Sequence, residues 1–183
     1  RGIWLANLGL VYDDMRQPED AIRLHEEAVG IARSLGDQRG LAVRLGNLGN
    51  SFVALNQFQA AIPAFEESAL LYRDLGDKSV QAQRLGVIGN LYAALGRNTS
   101  SRRNQIEYRQ QALKYYGRTL EIIRELADQR SEADLLRSMG TLNLELHMAD
   151  EASAALDEAV RLYAALGLPE MADSTRALYP EGG

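Results

Sequence analysis

The sequence predicts an all-α fold, a superhelical solenoid of antiparallel helix pairs, and three observations carry that prediction. Glycines at 9, 49 and 89 recur every 40 residues, and the next equivalent is Gly140, eleven residues late. The segments around them align without gaps, "NLGLVYDDMRQPEDAIRLHEEAVGIARSLGDQRG" (7–40) over "NLGNSFVALNQFQAAIPAFEESALLYRDLGDKSV" (47–80). Within each copy the apolar residues stand at helical spacing. A fixed period of this length marks a repeat array, in which one helix pair has too much apolar surface to hide alone and stacks on its neighbours.

The elements follow in order as one array of about four repeats: 1–36, 37–76, 77–127 and 128–167, then a final helix over 168–180. Arg1 to Leu5 align with Leu41 to Leu45, so the sequence is expected to open inside a helix, to expose Ile3, Trp4 and Leu5, and to be a fragment of a longer protein. Pro18 suits the first turn of the second helix, where its missing N–H costs nothing. In repeat two, Leu45, Leu48, Phe52 and Leu55 form one helical stripe; Ile62, Phe65, Ala69 and Tyr72 form another after a break at Asn56-Gln57. "LGD" at 35–37 and 75–77 places Gly where a left-handed residue ends a helix and Asp where the next needs an N-cap. The third copy resumes as "QALKYYGRTLEIIRELADQR" (111–130), and the fourth is "SMGTLNLELHMADEASAALDEAVRLYAALG" (138–167). Gly9, Gly49, Gly89 and Gly140 in first helices, with Ala21, Ala61, Ala112 and Ala152 in second helices, predict close backbone approach. Pro169 opens the last helix, and Pro180-Glu181-Gly182-Gly183 reads as a stop and a loose tail.

The eleven extra residues lie near 97–107, in "GRNTSSRRNQIEYRQQ" (96–111). Eleven residues make about three α-helical turns, so they leave the downstream face in phase. Two readings stand. In one, the second helix of repeat three starts early, capped by Ser100 or Ser101, and projects beyond its neighbours with a hinge at Gly96-Arg97. In the other, 97–107 is a flexible polar loop. Arg102, Arg103, Arg109 and Lys114 make this segment basic: residues 97–127 carry a balance of +4, against -2 for 1–96 and -7 for 128–183. Such a finger suits an acidic partner or the acidic surface of a second copy, giving a homo-oligomer.

The whole-chain net charge of -5 argues against general nucleic-acid or anionic-membrane binding. No apolar run reaches the roughly 20 residues of a membrane span, no secretory signal opens the chain, and Cys is absent. These point to a cytoplasmic protein without disulfides or thiolate metal sites. Enzymatic signals are weak. Glu26/Glu27, Glu66/Glu67 and Asp157/Glu158 are sequence neighbours on a helix, about 100° apart, and do not converge as an acid–base pair. Asp13/Asp14 is read the same way. His25 and His147 stand in different repeats, with no carboxylate spaced to complete a metal site. The expectation is no enzyme, no cofactor and no metal.

Leu8-Gly9 with Tyr12, Ala21 and Ala28, and Leu48-Gly49 with Phe52, Ala61 and Phe65, resemble the tetratricopeptide repeat (TPR) signature. The 40-residue period and the "NLGN…LGD" phrasing resemble the subtype of kinesin light chains, Leu-Gly-Asn spindle-orientation adaptors and bacterial signalling proteins. His25 and Leu156 stand where an aromatic is usual, and Asn143 replaces a first-helix Tyr. The resemblance implies a right-handed superhelix and a concave groove that receives an extended peptide or a helix. The matching groove positions are Asn7, Leu10, Asn47, Asn50, Gln83, Asn90, Arg137 and Thr141. An Asn offers both donor and acceptor, suited to a partner's backbone; the alternative is that these side chains are solvated or bonded within their helix. The lysine-rich clamp of one family subtype is absent, since Ile3, Ala6, Val43 and Gly46 occupy its places. The implied function is a non-enzymatic protein–protein interaction scaffold, or the sensor or regulatory arm of a larger signalling ATPase or transcription regulator. Association of copies through the array ends is a further expectation.

Overall fold

The computed structural model describes residues 2–179, and the described residues form nine α-helices and no strand. They are α1 (Gly2–Asp14), α2 (Pro18–Ser34), α3 (Gln38–Ala54), α4 (Phe58–Asp74), α5 (Lys78–Asn98), α6 (Arg102–Glu125), α7 (Gln129–Glu145), α8 (Ala149–Ala165) and α9 (Pro169–Arg176). The fold class is all-α, of the helical-repeat kind. The chain divides into two compact units, Arg1–Leu91 and Tyr92–Gly183, with the boundary inside α5.

The helix ends obey one local rule. Gly36, Gly76 and Gly167 adopt φ of 67°, 75° and 69°. After α2, the Gly36 N–H donates to the Arg33 carbonyl at 3.2 Å and the Asp37 N–H to the Ala32 carbonyl at 3.0 Å. That is a Schellman ending. The same Asp37 then starts α3, its Oδ1 accepting from the Gly40 N–H at 2.8 Å. Asp77 and Asp128 repeat the device on the Val80 and Ser131 N–H groups, at 3.2 and 3.1 Å. The bond from Gly40 holds the Asp37 carboxyl below its usual range, and bonds from Ser131 do the same for Asp128.

In unit 1, α1–α2 and α3–α4 are antiparallel pairs whose crossing is set by a missing side chain. A Cβ on Gly9 would lie 2.6 Å from the His25 ring, and one on Gly49 would lie 2.7 Å from Phe65 Cζ. His25 and Phe65 are both fully buried. Val29, Ala32, Leu41, Leu45, Leu48 and Ala64 join α2, α3 and α4 in one core cluster. Ala21, Ala61, Ala112 and Ala152, the small residues of the second helices, all have zero exposure.

Unit 2 repeats the geometry in α7–α8, where a Cβ on Gly140 would meet Leu156 Cγ at 2.6 Å. The Tyr163 hydroxyl donates to Asp134 Oδ1 at 2.6 Å, tying α8 to α7, and burial pushes this phenol well above its ordinary pKa. Asn143, at the register of an aromatic, is buried with its Oδ1 unpartnered.

The extra residues are helical, and they enter both arms of a hairpin. Helix α5 has 21 residues and α6 has 24, whereas α3, α4, α7 and α8 each have 17. The turn is Thr99-Ser100-Ser101, so the expected hinge at Gly96-Arg97 is corrected: both residues continue α5. The reason is packing. The extended end of α5 brings Gly96 against Tyr108 and Arg109 of α6, while Tyr92 stacks on Tyr115 at 5.6 Å and meets the tilted Tyr108 ring at 6.3 Å. Gly96 is buried, and a Cβ there would stand 3.3 Å from Arg109 Cγ. At the C-terminal end, α9 stops at Arg176, short of the expected 180. The predicted Pro180–Gly183 tail lies outside the described residues, as does Arg1.

Gly49→Ala should destabilise the protein by about 1–3 kcal/mol, because the enclosed Phe65 ring cannot retreat. Gly30→Ala should stabilise it by about 0.5–1 kcal/mol, since a Cβ there meets nothing within 4 Å and helix propensity alone acts. Opposite shifts in urea midpoint check the pair. Ala127 holds φ 54° where the other repeats place Gly. Left-handed strain of about 1–2 kcal/mol, less the added chain entropy of about 0.4–1 kcal/mol, makes Ala127→Gly stabilising by roughly 0.5–1 kcal/mol, read by the same titration.

Candidate functional site

In unit 1, a cleft of about 440 Å³ opens between the C-terminal halves of α1 and α3, beside the start of α2. It is lined by Leu10, Asp13, Arg16, Pro18, Asn47, Asn50 and Ala54. Three of the predicted groove residues, Leu10, Asn47 and Asn50, therefore meet at one place. Leu10 is 43% exposed, a large apolar side chain left without a cover. Asn7, Gln83 and Asn90 are exposed in the same unit but do not line this cleft. Arg137 and Thr141 belong to unit 2 and are half-buried, and the Thr141 hydroxyl donates to the Arg137 carbonyl at 3.0 Å.

Three helices converge on Asp13. Ser51 Oγ on α3 lies 2.9 and 3.0 Å from its two carboxylate oxygens, and His25 Nε2 on α2 lies 3.1 Å from Oδ2. A carboxylate only accepts, so Nε2 carries the proton in this contact. Ser51 Oγ also lies 3.2 Å from the Asn47 carbonyl. The carboxylate stands between hydroxyl and imidazole, the reverse of a nucleophilic relay in which the imidazole is central. Sequence reasoning missed this cluster: Asp13 and Asp14 are read there only as neighbours that do not converge, and nothing in the repeat pattern links Asp13 to Ser51, 38 residues away.

One member of each of two acidic doublets pairs with an arginine at the surface. Glu67 accepts two bonds from Arg33 at 2.7 and 2.8 Å, and Glu158 accepts from Arg124 at 2.8 Å. Both pairs join second helices of successive repeats at a spacing of 34 residues. Exposed as they are, each is worth about 0–1 kcal/mol. Among the described residues no group of three or more His, Cys, Asp or Glu side chains is placed to hold a metal ion, and no helix is long and apolar enough to cross a membrane.

In unit 2, Arg102, Arg103 and Lys114 are exposed on α6. Arg109 is corrected: it is 17% exposed and meets Glu145 Oε2 of α7 at 2.9 Å, so its charge is matched inside the unit. The N–H is not aligned on that oxygen, which leaves Arg109 Nε and Glu145 Oε2 in charge contact without a hydrogen bond. A second cleft of about 560 Å³ runs between this part of α6 and the α7–α8 turn, with Ile106, Arg102, His147 and Met148 on its walls. Ser101 caps α6 through its hydroxyl, which accepts from the Asn104 N–H at 3.4 Å, and Gln105 Nε2 ties back to the Thr99 carbonyl at 2.9 Å.

With repeats, crossings and cleft in view, comparison with known proteins names the class. Residues 2–74 match the family model described as tetratricopeptide repeat, and residues 132–164 match that of anaphase-promoting complex subunit 5. The match over residues 2–74, together with an all-α helical-repeat fold, supports a tetratricopeptide repeat assignment for this chain. A search of curated proteins finds no match. Among solved structures, RapI in its apo form is similar over 99% of this chain and 64% of its own, with 12% identity and a TM-score of 0.74. Aspartyl phosphate phosphatase F from Bacillus subtilis is similar over 97% and 44%, with 15% identity and a TM-score of 0.72. A signal transduction ATPase with numerous domains and a tetratricopeptide repeat sensor, from Pyrococcus horikoshii, is similar over 95% and 25%, with 15% identity and a TM-score of 0.74. The chain thus spans less than two thirds of each of these three, and at such identities the likeness is one of fold.

Amide exchange should be slow across 104–111 and fast at the 99–101 turn. Ser101→Ala, removing a cap worth about 0.5–2 kcal/mol, should speed exchange in the first two turns of α6 and leave α7 and α8 unchanged. Full exchange of 102–111 within seconds in the unaltered chain would contradict the helical hairpin.

Proposed function

We propose that this chain is a non-enzymatic protein-interaction module that grips an extended partner segment in the unit 1 cleft. The observation that carries the reading is the convergence of Leu10, Asn47 and Asn50 on one open cleft. Leu10 offers an apolar seat, and the two asparagines offer donors and acceptors for a partner's peptide groups irrespective of its side chains. The exposed cations Arg102, Arg103 and Lys114 on the α6 arm form a second contact, for an acidic stretch of a partner or of another copy. Asn7, Gln83, Asn90, Arg137 and Thr141 are secondary positions in this reading.

A second reading has one observation in its favour: similarity to an ATPase whose repeats are named a sensor. There the same module serves as the regulatory arm of a larger protein, and the cleft reports partner binding to its other domains.

The test is selection of random twelve-residue peptides displayed on phage against the immobilised chain, followed by affinity measurement on the recovered peptides. Asn47→Ala with Asn50→Ala should weaken them at least about tenfold, the loss of about 1.4 kcal/mol expected from one or two backbone hydrogen bonds. Undiminished binding to the double variant would place the contact elsewhere and overturn the proposal.

A further inference from the structure

Resting on that reading, we infer that the unit 1 cleft selects a cationic side chain, a lysine or arginine of the bound segment, through the carboxylate of Asp13. Asp13 is held from two sides by groups that cannot move: Ser51 is 1% exposed and His25 is 0% exposed. Their two protons occupy two of the roughly four acceptor positions of a carboxylate. The Asp13 side chain keeps 23% of its surface open, on the cleft lining, so the remaining lone pairs are available there. Among the described residues no lysine or arginine pairs with it. A fixed, half-enclosed carboxylate whose only partners are neutral donors or one histidine is a seat for a cation.

The surrounding backbone has the same sign. Helix α1 ends at Asp14 and α3 at Ala54, so the cleft lies at two helix C-termini, the negative poles of their dipoles. Neither helix has a basic residue in its last turn to neutralise that pole. Leu10, Pro18 and Ala54 supply apolar wall for the methylene stem of a lysine or arginine, whose charged head alone needs the acid. Arg16 is the one cation on the lining; it is exposed in the α1–α2 turn, where water and salt screen it.

A purely bracing role for Asp13 predicts something different: lost stability and no effect on ligand choice. The experiment therefore uses peptides from the random twelve-residue library selected on the whole chain. The expected result is enrichment of Lys or Arg at one fixed position of the selected peptides. Replacing that Lys by norleucine, which keeps the stem and drops the charge, should weaken binding to the unaltered chain about tenfold. Asp13→Asn, which still accepts from Ser51 or His25, should bind the Lys and norleucine peptides alike, and added salt should weaken only the Lys peptide on the unaltered chain. Selected peptides with no cation preference, or equal binding of Lys and norleucine peptides by the unaltered chain, overturn the inference and leave the cleft proposal standing. Peptides that ignore Asn47→Ala and Asn50→Ala overturn both. The norleucine comparison needs no variant, so it decides even where Asp13→Asn does not fold.

Discussion

Everything in this molecule depends on how closely two helices of a pair can approach. At Gly9, Gly49 and Gly140 the first helix presents bare backbone, and a bulky side chain sixteen residues later lies across it: His25, Phe65 or Leu156. The chemistry of that side chain is secondary, since an imidazole, a phenyl ring and an isobutyl group all fill the seat. What is held constant is the absence of a Cβ on one side and a large volume on the other. That close contact fixes the crossing, the crossing fixes which stripe of the first helix faces the next pair, and the opposite stripe is left facing outward.

A second economy lies in the turns. A single aspartate closes one helix with its backbone and opens the next with its side chain, as at Asp37 and Asp128. The connections are therefore short, and the ends of neighbouring pairs are set by bonds a few residues long. Substituting Ala127 for the usual glycine keeps the Schellman bonds, at 3.1 and 3.3 Å, at the cost of a strained φ. The geometry is imposed by the packed helices on either side rather than by the residue at the turn.

The hairpin α5–α6 shows how an insertion survives in such a design. Eleven residues added on one arm alone would carry Tyr108 into water, but four on α5 and seven on α6 lengthen both, by about 6 and 10 Å. Each increment is close to a whole number of turns, so the buried faces stay buried. Tyr108, in the added length, then meets the Tyr92 ring, which stacks on Tyr115, and Gly96 lets α6 approach. The charge of the segment, meanwhile, is partly consumed within unit 2, where Arg109 meets Glu145.

Repeat period, helix pairing, the close-approach glycines and the Asp caps were all legible in the sequence, because each depends on residues within one repeat and recurs at the same register. The candidate cleft was half legible: the family resemblance implied Leu10, Asn47 and Asn50 as groove positions, but a repeat register says nothing about which of those residues on different helices share a cleft. The joining of Asp13 to His25 and Ser51 across 12 and 38 residues, the pairing of Arg109 with Glu145 and the division of the insertion between two helices came only from tertiary structure. The physical reason is common to all three. Local hydrogen bonds and helical periodicity are written in short stretches of sequence, whereas a half-enclosed carboxylate, a matched charge or a shared helix extension is decided by which surfaces must be covered once the helices are stacked.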